Sequence, residues 1–320
     1  MNARRLVPAR GASRRLTSAE VFRASMPLMK LRAALQLTVE QLERVTSSAR
    51  AEAEELLSRL LGSSRTELYG RLDEELAPPE AHRLTRWIER RRAGEPIQYI
   101  TGRAAFRELD LSVTREVLVP RPETEILVER VLEILREERE RWPAPRVLDL
   151  GTGSGAIALS IATELPAAIV TATDLSADAL RVAARNAEEL GLGDRVRLLQ
   201  GRWFEALGLG ESFEVVVSNP PYIAESEREL LPREVREYEP AAALFSGANG
   251  LEALREIVDR APRFLTPGGL LALEVAEARA GQVLEWMGCD RAWGQARLLN
   301  DLTGRPRVVL ARRPGSQTLD

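Results

Sequence analysis

Beyond residue 145 the chain alternates short apolar runs with longer stretches whose apolar residues recur every three or four positions. The runs at 146–150, 169–173, 196–199, 213–217 and 269–275 are four to seven residues long and rich in Val, Ile, Leu and Ala. That is the pattern of strands covered on both faces, as in parallel sheets. Between them, 156–165, 176–191 and 251–265 carry helical spacing. The second of these opens on Ser176 as N-cap and closes on Gly191, with Leu180, Ala183, Ala184 and Ala187 predicted to face inward. Two further runs, 296–299 and 307–311, flank a turn at 301–304 and predict a closing β pair. Repeated strand–helix–strand units imply an α/β fold, a mostly parallel sheet with helices on both faces.

The stretch ahead of this pattern is helical. Leu31, Leu35, Leu42 and Val45 fall near helical spacing, and 49–61 repeats Ala53, Leu56, Leu57, Leu60 and Leu61 before stopping at Gly62. Residues 64–72 predict a short helix. Pro79 begins another, with Leu84, Trp87 and Ile88 on one face, Arg83, Arg86, Glu89 and Arg90 on the other, and Gly94 as its stop. Residues 28–103 therefore read as a small bundle of four or five helices. Residues 104–125 form a linker in which 109–113 and 117–119 are expected to pair as a hairpin. A helix follows over 124–135, with Ile126, Leu127, Val131, Leu132 and Leu135 apolar; Glu123 and Glu125 either favour its N-terminus or face a site. Residues 126–320 make up the α/β domain. Residues 1–27 hold six arginines and little periodicity. They read as a disordered extension, an organellar transit peptide, or translation from upstream of a start nearer Met26 or Met29.

Composition narrows the chemistry. The 320 residues carry a net charge of −3, which gives no strong electrostatic footprint for nucleic acid. Lys30 is the single lysine, a bias we read as genomic. Cys289 is the only cysteine and His82 the only histidine. An internal disulfide, a Cys- or His-cluster metal site and a His-dependent triad are thereby excluded. His82 lies on the last helix of the bundle without a ligand-type neighbour and reads as a surface or packing residue. No apolar run approaches the ~18 residues that span a bilayer. The expected setting is the cytoplasm.

Two motifs sit where strands end. Asp149-Leu150-Gly151-Thr152-Gly153-Ser154-Gly155 is the turn between the first strand and its helix, and glycines there let backbone approach a ligand. The spacing is G-x-G-x-G after an Asp, and Asp174 ends the second strand about 20 residues on, placed to accept ribose hydroxyls. Together these fit S-adenosylmethionine better than NAD; a solvated strand end is the plain alternative for Asp174. No Lys follows the glycines, which excludes a P-loop. The second motif, Ser218-Asn219-Pro220-Pro221-Tyr222, closes the fourth strand. Pro220 and Pro221 cannot continue a ladder and stiffen the corner. The Asn219 carboxamide oxygen and the Pro220 carbonyl can each accept one N–H of a planar neutral amide or amine, with the Tyr222 ring packing on its plane. The plain alternative is a diproline turn capped by Asn219.

With both motifs in view, the chain resembles the class I S-adenosylmethionine-dependent methyltransferases. Within them it looks like the release-factor glutamine N5-methyltransferases of the PrmC/HemK type. The resemblance runs from about residue 30 to the end. It rests on Gly94-Glu95-Pro96-Ile97 through Gly102, on Val119-Pro120-Arg121-Pro122-Glu123-Thr124-Glu125, on residues 149–155, and on Asn219 to Tyr222. Glu239-Pro240 followed by Gly247 and Gly250-Leu251, and the closing Asp301-Leu302-Thr303-Gly304, complete it.

The resemblance implies a Rossmann-like sheet. S-adenosylmethionine would be held by Gly151, Thr152, Gly153, Ser154, Gly155 and Asp174, with Asn219 at its reacting end and Trp203 beside the adenine. It implies Asn219, Pro220 and Tyr222 as catalytic residues and Asn219, Pro220, Pro221 and Tyr222 as the substrate contact, with no metal. The implied substrate is the Gln of the Gly-Gly-Gln loop of class 1 peptide-chain release factors, gripped in part by the helical domain, and the protein is expected to act as a monomer. The family usually has an acid just before that Trp; here Arg202 stands there, so the contact has to be replaced, and Trp203 as a core aromatic is the alternative. Rival readings are a glutamine methyltransferase of a ribosomal protein, whose linker lacks Pro-Glu-Thr-Glu, and an adenine-N6 or guanine-N2 nucleic-acid methyltransferase. The latter needs a basic groove. A non-catalytic binding module on the same fold is the third.

Overall fold

In the computed structural model, which describes residues 29–315, the leucine-rich stretch forms five helices: α1 (Leu31–Leu42), α2 (Ala49–Leu61), α3 (Arg65–Gly70), α4 (Pro78–Arg92) and α5 (Ile97–Thr101). The readings of residues 1–27 lie outside the described residues. Leu31, Leu35, Leu42, Leu56, Leu57 and Leu84 are buried together as the core of this unit. Gly62 stops α2 with φ +60°, the left-handed cap only glycine adopts freely. A capping box opens α3: Ser64 Oγ accepts the Glu67 amide and Glu67 Oε2 accepts the Ser64 amide. Val45, expected on the first helix, lies beyond its end and is exposed, as is His82 on α4. A two-residue pair, β1 (Met29–Lys30) with β2 (Glu75–Leu76), was not foreseen.

The chain divides after Thr101, and the second compact unit begins with a hairpin. Its strands are β3 (Arg103–Phe106) and β4 (Leu109–Ser112), not 109–113 with 117–119. Val117 and Val119 are buried, but Pro120 removes a donor from that run and no strand forms there. Then come α6 (Pro122–Glu137), β5 (Arg146–Leu150), α7 (Ala156–Glu164), β6 (Ile169–Asp174), α8 (Ala177–Glu189), β7 (Val196–Gln200) and β8 (Phe213–Ser218). Three short helical pieces follow: a 3₁₀ turn Glu225–Leu230, α9 (Arg233–Tyr238) and α10 (Ala241–Leu244). The rest is α11 (Glu252–Arg260), β9 (Leu265–Glu274), α12 (Glu277–Cys289), β10 (Ala296–Asn300) and β11 (Pro306–Arg312).

Seven strands make one sheet in the order β10-β11-β9-β8-β5-β6-β7. The five from β7 to β9 are parallel, and β11 and β10 close the edge antiparallel. Both faces are covered, by clusters around Val147 and Val217 on one side and Leu148 and Val216 on the other. Ala183 and Ala187 of the predicted stripe of α8 are buried, and Ala179, Val182 and Asn186 join them in place of Leu180 and Ala184. The helix expected over 251–265 ends at Arg260 in a 3₁₀ turn, because Pro262 cannot donate to the ladder. Among the described residues no helix is long and apolar enough to cross a membrane.

Candidate active site

The connections run outward from β5 to β6 and β7, then return to β8 on the other side of β5. That reversal leaves a crevice at the carboxyl ends of β5, β6 and β8, where open α/β sheets hold ligands. A cavity of about 530 Å³ lies there. Its wall includes residues 151–154, Asp174, Trp203, Asn219 and Pro221, so most of the sequence-predicted site comes together. Gly155, Pro220 and Tyr222 stand outside the wall.

On one side the wall is backbone. Gly151 and Thr152 both donate to the Thr173 carbonyl, at 2.8 and 3.0 Å. Gly151 adopts φ +72°, and a Cβ on it would lie 3.2 Å from the Trp203 ring. The missing side chain therefore lets the indole close on the loop. Gly155 takes φ +84° as the N-cap of α7. Asp174 pins the loop: Oδ2 accepts the Gly153 amide and Oδ1 the Ser176 amide, both at 2.9 Å. Burial nevertheless pushes its pKa up. Behind the loop, Asp149 is fully buried. Its Oδ2 accepts from the Thr152 hydroxyl at 2.6 Å and the Ala158 amide at 3.2 Å, while Oδ1 has no partner among the described residues. Desolvation pushes its pKa up to about 7. Asn186 of α8 supports the same loop, donating to the Ser154 carbonyl and exchanging two hydrogen bonds with the Ser112 backbone.

On the other side the wall is an amide. Asn219 follows the last residue of β8, and the register of Ser218 opposite Leu273 brings it beside Glu274. Asn219 Nδ2 donates to Thr124 Oγ1 at 2.9 Å, and Thr124 donates to Glu274 Oε2 at 2.7 Å. Tyr222 donates its hydroxyl to Glu274 Oε1 at 3.2 Å. Tyr222 thus stands one step behind the wall, and burial beside that carboxylate raises its pKa. Glu274 is buried, and desolvation raises its pKa too. Neither Glu123 nor Glu125 reaches the wall; Thr124 between them does.

The roof is the segment after Tyr222. Ile223 and the 244–246 stretch exchange backbone hydrogen bonds, and Arg121 makes two at 2.7 Å to buried Glu239. Gly250 has φ +71°, and a Cβ there would meet the Tyr222 carbonyl at 2.4 Å. Arg202 is in the wall, with its guanidinium tied to Glu256 of α11. Trp203 packs against the core from a left-handed backbone, φ +49°, and also lines the cavity. Sequence reasoning missed Glu274, Asn186 and the Arg121–Glu239 pair as site elements.

Residues 33–102 match the family model for the PrmC N-terminal domain and 124–235 that for the methyltransferase small domain. The release factor glutamine methyltransferase of Moorella thermoacetica is 44% identical over 286 residues, 89% of this chain and 99% of that protein. Those of Geobacter sulfurreducens and Streptomyces coelicolor are 45% and 43% identical, over 84% and 83% of this chain and 92% of each relative. The crystal structure of the hMettl16 catalytic domain in complex with MAT2A 3'UTR hairpin 6 superposes with a TM-score of 0.51 at 15% identity, covering 76% of this chain and 84% of that one. That likeness is one of fold alone. Identity at this level across most of the length, through both matched domains, decides the matter: the chain belongs to the release factor glutamine methyltransferase family.

Proposed function

We propose that this protein transfers a methyl group from S-adenosylmethionine to the side-chain amide nitrogen, N5, of the glutamine in the Gly-Gly-Gln loop of class 1 peptide-chain release factors. The observation that carries the reading is Asn219. Its Nδ2 is held by Thr124, which leaves Oδ1 as an unengaged acceptor among the described residues, and it shares one cavity with the glycine loop and Asp174. The residues present fit the donor. The Gly151 loop admits close approach, the Asp174 oxygens keep lone pairs for ribose hydroxyls, and Trp203 offers a flat face. When bound, the donor supplies a methyl group already activated on a sulfonium.

What the protein then supplies is position. A glutamine amide nitrogen is a weak nucleophile because its lone pair is delocalised. Asn219 Oδ1 accepts one of its N–H groups, turning the lone pair toward the methyl group. The proton leaves after transfer, to water. The helical unit contributes grip on the release factor, and the protein acts as a cytoplasmic monomer.

The test is label transfer from methyl-labelled donor to a purified release factor, a ribosomal-protein fraction and DNA, each offered separately. Label on the release-factor glutamine is expected; label only on either of the others overturns the reading. Asn219→Ala should keep donor affinity and lose roughly a hundredfold in turnover, the value of one aligned hydrogen-bonding partner. Single-turnover rates equal to wild type would remove Asn219 from the reaction.

A further inference from the structure

An asparagine amide is nearly symmetric in outline; its ends differ in which donates and which accepts. The proposed reaction needs the accepting end in the cavity, and nothing in Asn219 itself secures that. The determinants lie behind it. Glu274, at the end of β9, faces two hydroxyls: Thr124 Oγ1 at 2.7 Å and Tyr222 Oη at 3.2 Å. In its ionised form, which the two hydroxyls and the Arg307 charge favour against burial, Glu274 only accepts, so both hydroxyls donate to it. The single proton of Thr124 is then committed, and its oxygen is left as an acceptor. At 2.9 Å the only end of Asn219 it can meet favourably is the NH₂ group; an inverted amide would set oxygen against oxygen. The order carboxylate, hydroxyl, amide therefore runs one way.

We propose that Glu274 and Thr124 are positioning residues that fix the polarity of the Asn219 amide, so that the substrate glutamine meets an acceptor and never a second NH₂ group. This rests on the function proposed above. Tyr222 holds the second carboxylate oxygen and completes the arrangement from the far side. Thr124 comes from α6 and Glu274 from the other end of the sheet domain's sequence, 150 residues on, so the device exists only in the folded unit.

The decisive variant is Thr124→Val, which keeps the shape and removes the hydroxyl. Its kcat on a purified release factor should fall about tenfold to a hundredfold, the equivalent of one buried hydrogen bond, with calorimetric affinity for S-adenosylmethionine unchanged. Thr124→Ser, which restores the hydroxyl, should recover most of that loss; a merely space-filling Thr would not give this split. Wild-type kcat in Thr124→Val, or Thr124→Ser failing as badly as Thr124→Val, overturns the proposal. Should Thr124→Val lose its melting transition, Glu274→Gln takes its place. Its amide can turn either end to Thr124, so a fall in kcat at constant donor affinity is expected and unchanged kcat is the overturning result. Asn219→Ala run alongside separates the two levels. An inactive Asn219→Ala with a fully active Thr124→Val sinks the positioning role alone, whereas an active Asn219→Ala sinks the function beneath it.

Discussion

Replacing Asp149 with Asn should flatten the dependence of stability on pH. In the unfolded chain this carboxyl ionises near 3.8; folded, desolvation holds its pKa at about 7, with Asp174 nearby adding slightly to the shift. Below pH 4 both states are protonated and there is no penalty. Between pH 4 and 7 the unfolded chain binds fewer protons than the folded one, so stability falls as pH rises, by up to ~1.4 kcal/mol per pH unit. Above pH 7 the loss is complete, at most about 4 kcal/mol for a shift of this size. The amide of Asp149→Asn can accept from Thr152 and Ala158 on its oxygen, as Asp149 Oδ2 does. Its NH₂ then sits where Oδ1 already lacks a partner, as the protonated carboxyl's hydroxyl also would. The two proteins should therefore melt together near pH 4 and separate above it, the variant becoming the more stable. At about 2–4 °C per kcal/mol for a unit this large, the gap approaches 10 °C at pH 8. Scanning calorimetry of both proteins from pH 4 to 8 reads it directly. Asp174, Glu239 and Glu274 are shifted in the same direction by burial, so some slope persists in the variant. Parallel melting curves across the whole range would refute a raised pKa at Asp149.

Asp174→Ala removes the acceptor of the Gly153 and Ser176 amides and should weaken S-adenosylmethionine binding at least tenfold; unchanged affinity by calorimetry would exclude its role in the loop. Asn186→Ala strips three buried hydrogen bonds from the Ser112 and Ser154 backbone and should lower unfolding free energy by about 2–4 kcal/mol in urea, while a loss under about 1 kcal/mol would mean water replaces them. Gly250→Ala forces a side chain into the Tyr222 carbonyl at a left-handed φ, so the roof must shift: activity should drop sharply, and a fully active variant would show that the segment does not shape the site.

What the sequence revealed of this fold divides by the range of the forces involved. The strands of the sheet were readable because a buried parallel strand must be apolar on both faces, and 147–150 and 215–218 carry that mark at every position but Asp149 and Ser218. The glycine loop was readable because a left-handed φ restricts which residue can stand there, so residue type records geometry. Helix α12 was not foreseen: only Ala280, Val283 and Met287 are buried on it and two glycines interrupt it, which leaves too little apolar period to detect. The hairpin was misplaced because Val117 and Val119 look more strand-like than Arg103-Ala-Ala-Phe106, yet pairing is decided by what lies alongside, and β4 finds β3 there.

The candidate site divides the same way. Asn219 could be located from its neighbours, because two prolines announce a rigid corner whatever surrounds it. Which way its amide faces could not be. That orientation depends on one proton of Thr124 and on a carboxylate 150 residues further along, brought within 2.7 Å only by the return of β9 beside β8. Neither residue is unusual locally: a Thr in the first turn of a helix reads as ordinary, and a Glu at a strand end reads as solvated. Burial changes what Glu274 means. An acid taken out of water needs donors; the two it finds are Thr124 and Tyr222, and Thr124 in turn holds Asn219. The chemistry of the motif is therefore local, but its direction belongs to the sheet order, and a chain with Asn-Pro-Pro-Tyr on a different topology would present the same residues without a fixed polarity.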